Sequence, residues 1–204
     1  MFNKIVNYMT DLEQRVKFIV EVDKLKSIYR RCLVYSDNNR RENTAEHSWH
    51  AALMAITFKD FAKENINMER VLTMLLIHDI VEIYAGDTYA FDDEAILELQ
   101  HKKELLALDK VFSLMPEYDA KELKKLWLEF EKSSSADAKY AKAIDKSIPV
   151  YRNMASNGGG WVINGPTCKE KVLKINKELK TIAPKLWDYV KQQINIAESK
   201  GWLV

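Results

Sequence analysis

Apolar residues recur at steps of three and four along almost the whole chain, and this helical periodicity is the strongest constraint on its fold. In the segment TDLEQRVKFIVEVDKLKSIY, for example, Leu12, Val16 and Ile19 fall on one face of a helix. Alternation of apolar and polar residues, which is typical of a strand, never extends beyond a few residues. The sequence therefore predicts an all-α helical bundle of about seven to nine helices.

The length of 204 residues fits one domain with a hydrophobic core of its own. No repeat, low-complexity tract or linker divides the chain. We therefore predict a single domain over residues 1–204. It would consist of a functional core over about residues 25–155 and C-terminal helices over about residues 166–204.

Composition excludes several classes of protein. Apolar residues make up 47% and charged residues 30%, and the formal net charge of +1 provides no field that would attract a nucleic-acid polymer or an anionic membrane. No stretch approaches the roughly 20 apolar residues of a membrane span. The two cysteines, Cys32 and Cys168, lie far apart and are interpreted as reduced thiols. We therefore expect a soluble cytoplasmic protein.

The stretch LLIHDIVEIYAGDT, residues 75–88, places ionisable side chains inside an apolar helix. Burying such groups costs free energy unless a partner compensates them. On a helix over about residues 68–84, His78 and Glu82 share one face and Asp79 stands beside them. An imidazole nitrogen and a carboxylate oxygen together suit Mn²⁺, Co²⁺, Fe²⁺, Zn²⁺ or Mg²⁺. The stretch is therefore a candidate half of a metal site.

Further ligands would have to come from other helices. His47, one of four histidines, lies in the first turns of a helix for which Asn43 is the predicted N-cap. Asp145 interrupts an apolar stripe in AKAIDKSIP and needs a partner. Each residue alone is more often an ordinary hydrogen-bonded side chain. Together, His47, His78, Asp79 and Asp145 form a candidate set of four ligands from three helices, with open positions for water and substrate.

The order H…HD…D resembles the signature of the HD-domain metal-dependent phosphohydrolases. The segments RRENTAEHSWHAALMA, IHDIVEIYAGDT, KAIDKSIP and NGGGWVINGPT resemble successive blocks of the branch that contains the bacterial 5′-deoxynucleotidases and the eukaryotic HD-domain-containing protein 2. These blocks extend over about residues 25–175. The resemblance implies an all-α HD domain that hydrolyses (deoxy)nucleoside 5′-monophosphates to nucleoside and phosphate. It also implies a homodimer, because relatives in this branch are commonly dimers.

The resemblance assigns a role to each matching position. The implied ligands of one divalent ion, which would be Mn, Co, Mg, Fe or Zn, are His47, His78, Asp79 and Asp145. Glu82 would assist the attacking water or the proton transfer. Asp87 and Thr88 would lie at the nucleotide sugar, so that Glu82 and Asp87 are the implied catalytic residues. Arg40, in the segment NRREN, matches a basic position that would contact substrate.

One position departs from the pattern of the branch. The deoxynucleotidases carry an Arg-Trp pair fourteen to fifteen residues before the first ligand histidine, where this chain has Cys32 and Leu33. Arg30 and Arg31 stand just before these residues and would supply the phosphate contact instead. Because Leu33 is smaller than Trp, a 2′-hydroxyl group need not be rejected, and ribonucleotides or another phosphate ester become possible substrates.

Three alternative interpretations remain open. A dinuclear site for phosphodiester hydrolysis or oxygenase chemistry would need further ligands, for which only His50 and His101 remain. A nucleotide-binding regulatory module could retain the metal without catalysis, although it would need neither Glu82 nor Asp87. The polar residues could also be unrelated groups in an all-α core. The number of metal ions per chain and metal-dependent phosphate release distinguish these interpretations.

Overall fold

The computed structural model describes residues 9–88 and 93–204. Within these ranges lie eleven α-helices: α1 (Asp11–Val22), α2 (Thr44–Phe58), α3 (Met68–Ile77), α4 (Glu82–Ala85), α5 (Glu94–Phe112), α6 (Glu117–Lys132), α7 (Ala136–Ala155), α8 (Gly159–Ile163), α9 (Lys169–Asn176), α10 (Leu179–Ile182) and α11 (Pro184–Ser199). Two 3₁₀ segments, Asp23–Ser27 and Lys59–Phe61, and a hairpin of β1 (Tyr29–Val34) and β2 (Arg40–Asn43) accompany them. Because α4, α8 and α10 are single turns of four or five residues, eight longer helices remain in the described part. The predicted all-α fold is confirmed.

The helices α2, α3 and α7 pack against one another. Of the candidate ligands, His47 lies on α2, Asp145 lies on α7, and His78 directly follows the end of α3. Ala51 on α2, Leu75 on α3, and Ile144 and Ile148 on α7 are fully buried in this shared core. Burial of one Leu or Ile side chain contributes about 1.5–3 kcal/mol. The apolar stripes that the sequence displays therefore fix the relative positions of the elements that carry polar residues.

The segment RRCLVYSDNNRREN forms an antiparallel hairpin, where the sequence indicated only helices and loops. Its backbone pairs Leu33 with Arg41 and Val34 with Arg40. Asn38 in the turn has a φ of 49°, a left-handed conformation that asparagine adopts more readily than most residues. The strands are six and four residues long and rich in charge, so their alternation is too short to be recognised.

The helix predicted over residues 68–84 is interrupted at its polar residues. The helix α3 ends at Ile77, and α4 begins only at Glu82. Between them the backbone amides bond to the carbonyl three residues earlier, as from Glu82 N to Asp79 O at 3.0 Å. The prediction of one continuous helix is therefore wrong at the position of the candidate ligands.

Trp127 on α6 explains this interruption. Its indole N–H donates to the carbonyl oxygen of His78 at 2.7 Å, and both groups are buried. In a continuous α-helix that oxygen would accept from the amide of Glu82, four residues later. Because Trp127 occupies the oxygen, the amide of Glu82 bonds to Asp79 instead. A contact from a distant helix thus sets the local backbone at the site.

The C-terminal helices α9, α10 and α11 all pack on α7. Leu186, Val190 and Ile194 of α11 are buried in the same cluster as Ile144. The predicted division into a core over residues 25–155 and C-terminal helices stays a prediction, and residues 1–8 and 89–92 of the predicted domain lie outside the described residues. Among the helices that the structure describes, none has the length and apolar character needed to span a bilayer.

The bond between Trp127 and His78 generates a prediction about stability. Trp127→Phe should lower the free energy of unfolding by about 1–3 kcal/mol more than Trp161→Phe, because the buried carbonyl oxygen of His78 loses its donor. Trp161 is the matched control, since both indoles are 1% exposed and the Trp161 nitrogen has no hydrogen-bond partner among the described residues. Urea unfolding followed by circular dichroism measures both variants. Equal losses would contradict the assigned hydrogen bond.

Candidate metal centre and active site

The four predicted ligands come together at one point between α2, the turn after α3, and α7. The Nε2 atom of His47 lies 2.8 Å from Asp145 Oδ1, and that of His78 lies 3.0 Å from Asp79 Oδ2. The cross distances are 3.5 Å from His78 Nε2 to Asp145 Oδ1 and 3.8 Å from His47 Nε2 to Asp79 Oδ2. Both imidazoles are almost fully buried, whereas the two carboxylates are partly accessible. Two nitrogen and two oxygen donors thus converge on one small space.

The ring of His78 is oriented as a metal ligand would be. Its Nδ1 atom lies 2.8 Å from the carbonyl oxygen of Leu75 and therefore carries the proton. Its Nε2 atom is buried and has no hydrogen-bond partner in the part of the chain that the structure describes. Donor atoms of His47, His78 and Asp145 all lie within 4.8 Å of one another. A buried ring nitrogen that faces carboxylates without a hydrogen bond is an arrangement that a divalent cation satisfies.

The charges within this cluster also favour a cation. Burial lowers the pKa of His78, but the charges of Asp79 and Asp145 outweigh burial and raise that pKa well above its ordinary value. Burial raises the pKa of Asp145, but the hydrogen bond from His47 and the nearby charge of His78 outweigh it and hold that pKa well below its ordinary value. Without an ion, the proton on His78 balances the carboxylates. A divalent ion has to displace that proton, so its binding is expected to tighten as pH rises.

Arg30 on β1 reaches the carboxylates from the hairpin. Its Nη1 atom lies 2.5 Å from Asp79 Oδ2, 3.3 Å from Glu82 Oε1 and 3.5 Å from Asp87 Oδ1. Thr44, the first residue of α2, donates its hydroxyl to the other oxygen of Glu82 at 2.7 Å. The hairpin therefore places a guanidinium beside both predicted catalytic carboxyl groups and one predicted ligand.

The carboxyl groups of Glu82 and Asp87 bind protons more tightly than usual. Burial raises the pKa of Glu82 well above its ordinary value, and the charge of Asp79 raises it further while Arg30 opposes the change. Burial also raises the pKa of Asp87, again against the charge of Arg30. A carboxyl group with a raised pKa is, once ionised, a stronger base than an ordinary carboxylate.

A cleft of about 90 Å³ opens beside Arg30. It is lined by Arg30, Arg31, Cys32, Asp87, Thr88, Pro149, Asn153, Gly160 and Asn164. Five of these residues, Arg30, Arg31, Cys32, Asp87 and Thr88, were singled out in the sequence, and the structure brings them to one cleft. Leu33 is not among the lining residues. The small thiol of Cys32 therefore borders the cleft beside the residues expected at the sugar.

The glycine-rich block supplies the side of this cleft that the sequence analysis did not assign. The amide of Gly160 on α8 donates to Asn153 Oδ1 at 2.8 Å. A Cβ atom at Gly160 would lie 3.2 Å from Asn164 Nδ2 and 3.4 Å from the carbonyl oxygen of Arg31. Glycine thus permits α8 to approach β1. The compositional bias of NGGGWVINGPT was a usable signal, but it did not reveal which polar residues face the cleft.

Arg40 has a different environment from the other predicted substrate residues. Its guanidinium donates to both oxygens of Glu46, at 2.7 and 2.9 Å, and it also contacts Asp37. Glu46 completes the capping box that Asn43 begins, which confirms the predicted start of α2. Arg40 therefore supports the helix that carries His47, and its contact with substrate stays a prediction.

The two remaining histidines lie apart from the cluster. His50 stacks on Trp49, with ring centroids 6.1 Å apart, and borders a separate outer cleft. The side chain of His101 is 51% exposed on α5 and lies 3.9 Å from Glu104. Within residues 9–88 and 93–204, neither belongs to a group of His, Cys, Asp or Glu side chains close enough to bind an ion. The structure thus gives no support to the dinuclear alternative.

Glu42 and Arg152 are site residues that the sequence analysis missed. Glu42 on β2 is 2% exposed, accepts a hydrogen bond from Arg152, and has its Oε2 atom 3.6 Å from His47 Nδ1. Burial raises the pKa of Glu42, but His47 and the charge of Arg152 outweigh burial and lower that pKa. The change from exposed Arg41 to buried Glu42 would have been a signal only if the strand had been recognised.

A family model described as HD domain matches residues 22–187. Because this match covers most of the chain, the protein belongs to the HD domain family. The predicted family is confirmed, and so is the helical fold that it implies.

Relatives and solved structures agree with this assignment. Human 5′-deoxynucleotidase HDDC2 is 35% identical over 131 residues, which cover 64% of this chain and 62% of the relative, so the chain spans less than two thirds of that relative's length. The 5′-deoxynucleotidase hdd1 of Schizosaccharomyces pombe is 29% identical over 135 residues, which cover 64% of this chain and 66% of the relative.

Among solved structures, that of a predicted metal-dependent phosphohydrolase from Magnetospirillum magnetotacticum is 39% identical in sequence. The match covers 95% of this chain and 98% of that chain, with a TM-score of 0.86. An HD-domain phosphohydrolase from Listeria innocua, 19% identical over 91% and 86% of the chains, shares the fold with a TM-score of 0.61.

Glu104 on α5 is a further carboxyl group whose pKa is raised. Burial raises the pKa of Glu104 to about 7, and the charges of Glu131 and Asp79 contribute in the same direction. Because the folded-state pKa exceeds the ordinary value of 4.5, the stability that this group contributes is complete below pH 4.5 and is lost as pH rises through about 7.

Glu104→Gln should therefore raise the free energy of unfolding of the metal-free protein by about 1–3 kcal/mol at about pH 8, and should change it little near pH 4.5. The matched control on the same helix is Glu98→Gln, since the Glu98 side chain is 70% exposed and pairs with Lys102. Urea unfolding at several pH values measures both. An effect of Glu104→Gln that did not vary with pH would refute the assignment.

Proposed function

We propose that this chain is a metal-dependent phosphomonoesterase that hydrolyses nucleoside 5′-monophosphates to nucleoside and phosphate. One observation carries the proposal: two imidazole nitrogens and two carboxylate oxygens converge beside a guanidinium and a proton-binding glutamate. The name 5′-deoxynucleotidase of the relatives supports the substrate class. The proposed ligands of one divalent ion are His47, His78, Asp79 and Asp145.

The donor set fits several cations. Imidazole nitrogens and carboxylate oxygens accommodate Mn²⁺, Co²⁺, Fe²⁺ and Zn²⁺ well, and Mg²⁺ less well. An ion held there supplies Lewis acidity toward a water molecule and toward a phosphoryl oxygen. The remaining chemistry falls to the side chains around it, which position the phosphate and transfer protons.

Glu82 is proposed as the base that accepts a proton from the attacking water. Its side chain is held by Thr44 at one oxygen and by Arg30 at the other, so its orientation is fixed. Because its pKa is raised, the ionised carboxylate is a stronger base than that of an ordinary glutamate. The water attacks phosphorus in line with the leaving 5′-oxygen, and the P–O5′ bond breaks. That oxygen takes a proton from solvent as the nucleoside departs, and Glu82 then releases its proton to solvent.

Arg30 is proposed to contact the phosphate, since a guanidinium binds phosphate oxygens as a planar fork. Its present partners are the carboxylates of Asp79, Glu82 and Asp87. Arg31 is proposed as a second basic residue at the same cleft. Asp87 and Thr88 would hydrogen-bond a sugar hydroxyl, and this would orient the substrate without contact with the reacting atoms.

The compartment and the assembly of the protein also remain proposals. We propose a cytoplasmic homodimer with no polymeric nucleic acid or membrane as partner. Cys32 and Cys168 are free thiols, which agrees with a reducing compartment. Leu12, Val16 and Ile19 of α1 are exposed on one helix and offer an apolar surface for a second subunit.

A nucleotide panel tests the activity. With Mn²⁺, Co²⁺ or Mg²⁺ added, the protein should release phosphate from nucleoside 5′-monophosphates. The kcat/KM values for a ribonucleotide and its 2′-deoxy analogue should differ by less than about tenfold, because Leu33 stands where the deoxynucleotidases carry the Trp that would crowd a 2′-hydroxyl group. A colorimetric phosphate assay measures the rates. Metal binding without phosphate release from any 5′-nucleotide would contradict the proposal and support the regulatory alternative.

Two substitutions separate metal binding from catalysis. Asp79→Ala should lose both the metal and the activity, because it removes a proposed ligand. Glu82→Gln should keep the metal and lose about 10²–10⁴-fold in kcat, because the amide cannot accept the proton. Metal content by inductively coupled plasma mass spectrometry and phosphate release are measured on the same samples. Full metal content in Asp79→Ala would contradict the ligand assignment, and an active Glu82→Gln would contradict its role as base.

A further inference from the structure

The ring of His47 meets a second carboxylate at the nitrogen that faces away from Asp145. His47 Nδ1 is buried and lies 3.6 Å from Glu42 Oε2, which is buried as well. Neither atom has a hydrogen-bond partner in the described ranges. Two buried polar atoms that face each other without a bond are costly, and a small approach allows one proton to satisfy both.

We propose that Glu42 is a positioning residue for the metal centre. Its Oε2 atom accepts the Nδ1 proton of His47 and holds it on that nitrogen, so that Nε2, which lies 2.8 Å from Asp145 Oδ1, is the ring atom left to bind the ion. A carboxylate that holds the outer nitrogen of a ligand histidine also makes that histidine a stronger donor. The inference rests on the proposed role of His47 as a metal ligand.

Arg152 on α7 holds Glu42 in this position. One guanidinium nitrogen of Arg152 donates to the other oxygen of Glu42, and a second donates to the backbone carbonyl of Leu33 on β1. Arg152 stands about two turns after Asp145 and therefore on the same side of α7. A single side chain thus connects both strands of the hairpin to the helix that carries a ligand.

The burial of this ion pair indicates a role beyond stability. The side chain of Glu42 is 2% exposed and that of Arg152 is 13% exposed. Two charges removed from water to this degree incur a desolvation cost, and apolar residues of similar size often stabilise a protein at least as well. The pair does more than join two elements, because the free oxygen of Glu42 faces the outer nitrogen of His47 rather than solvent. This geometry indicates that Glu42 orients the ring of His47.

Glu42→Gln is the direct test, because the contacts of the new amide follow from its neighbours. Arg152 offers only donors, so the amide oxygen would stay with Arg152 and the NH₂ group would face His47 Nδ1. His47 Nδ1 should then carry no proton, and the ring proton would stay on Nε2, where it blocks the lone pair that an ion needs. The matched control is Glu46→Gln, one residue before His47, since Glu46 contacts Arg40 and Asn43.

Two readouts apply to these variants. In the metal-free protein, ¹H–¹⁵N correlation spectra of the imidazoles should show a proton on His47 Nδ1 in the wild type and in Glu46→Gln, and no proton on that nitrogen in Glu42→Gln. Mn²⁺ titration calorimetry should show about 10–100-fold weaker binding for Glu42→Gln alone. An unchanged tautomer with wild-type Mn²⁺ affinity would overturn the inference. If the wild type bound no Mn²⁺, the proposed function would fail, and the tautomer would still test Glu42.

A second variant tests the inference independently of the folding of Glu42→Gln. Glu42 and Arg152 line an outer cleft of about 470 Å³, through which a small carboxylate can enter. Glu42→Ala should bind Mn²⁺ weakly, and added sodium formate should restore much of the affinity by occupying the place of the lost carboxylate. Sodium chloride at equal ionic strength is the control. A folded Glu42→Ala protein that formate did not rescue would contradict the inference.

Discussion

The hydrogen bond from Trp127 to the carbonyl oxygen of His78 is the interaction on which the rest of the site depends. It removes that oxygen from the helical ladder, so α3 ends and the backbone tightens through Asp79 before α4 begins at Glu82. The ring of His78 then bonds back to the carbonyl oxygen of Leu75, which leaves Nε2 free. A proposed ligand pair and the proposed base are thus positioned by one indole from another helix.

The second constraint is the free-energy cost of placing charge in an apolar core. The described ionisable groups at the centre form pairs: His78 faces Asp79, His47 faces Asp145, and Arg30 contacts Glu82. The directions of the pKa shifts indicate that protons compensate these charges when no ion is present. A divalent ion would replace a proton as the compensating charge. The rigid packing of α2, α3 and α7 around these groups keeps the donor atoms in place for that exchange.

The sequence predicted the apolar framework and the donor atoms because both depend on local patterns. Three- and four-residue periodicity located the helices, and His78, Asp79 and Asp145 were recognised as polar interruptions of apolar stripes. The break after Ile77 could not be predicted in the same way, since its cause, Trp127, lies 49 residues further along the chain. The order of the HD blocks supplied the pairing of distant elements that periodicity alone cannot supply.

The hairpin accounts for most of what the sequence did not reveal. Its strands are short and charged, so neither the inward direction of Glu42 nor the approach of Arg30 to the carboxylates was apparent. Arg152 was missed because its partners, Glu42 and the backbone of Leu33, lie more than a hundred residues away in the sequence. The interpretation of Arg40 as a substrate residue followed from a motif position, whereas its contacts with Glu46 and Asp37 follow from the turn of the hairpin.

A crystal structure of the protein grown with Mn²⁺, with anomalous differences recorded, tests the central claim most directly. The claim is that His47, His78, Asp79 and Asp145 together hold one divalent ion. One anomalous peak is expected, about 2.0–2.3 Å from Nε2 of both histidines and from one oxygen of each carboxylate. A peak outside this cluster, two peaks that share these side chains, or none at full Mn²⁺ concentration would contradict the claim.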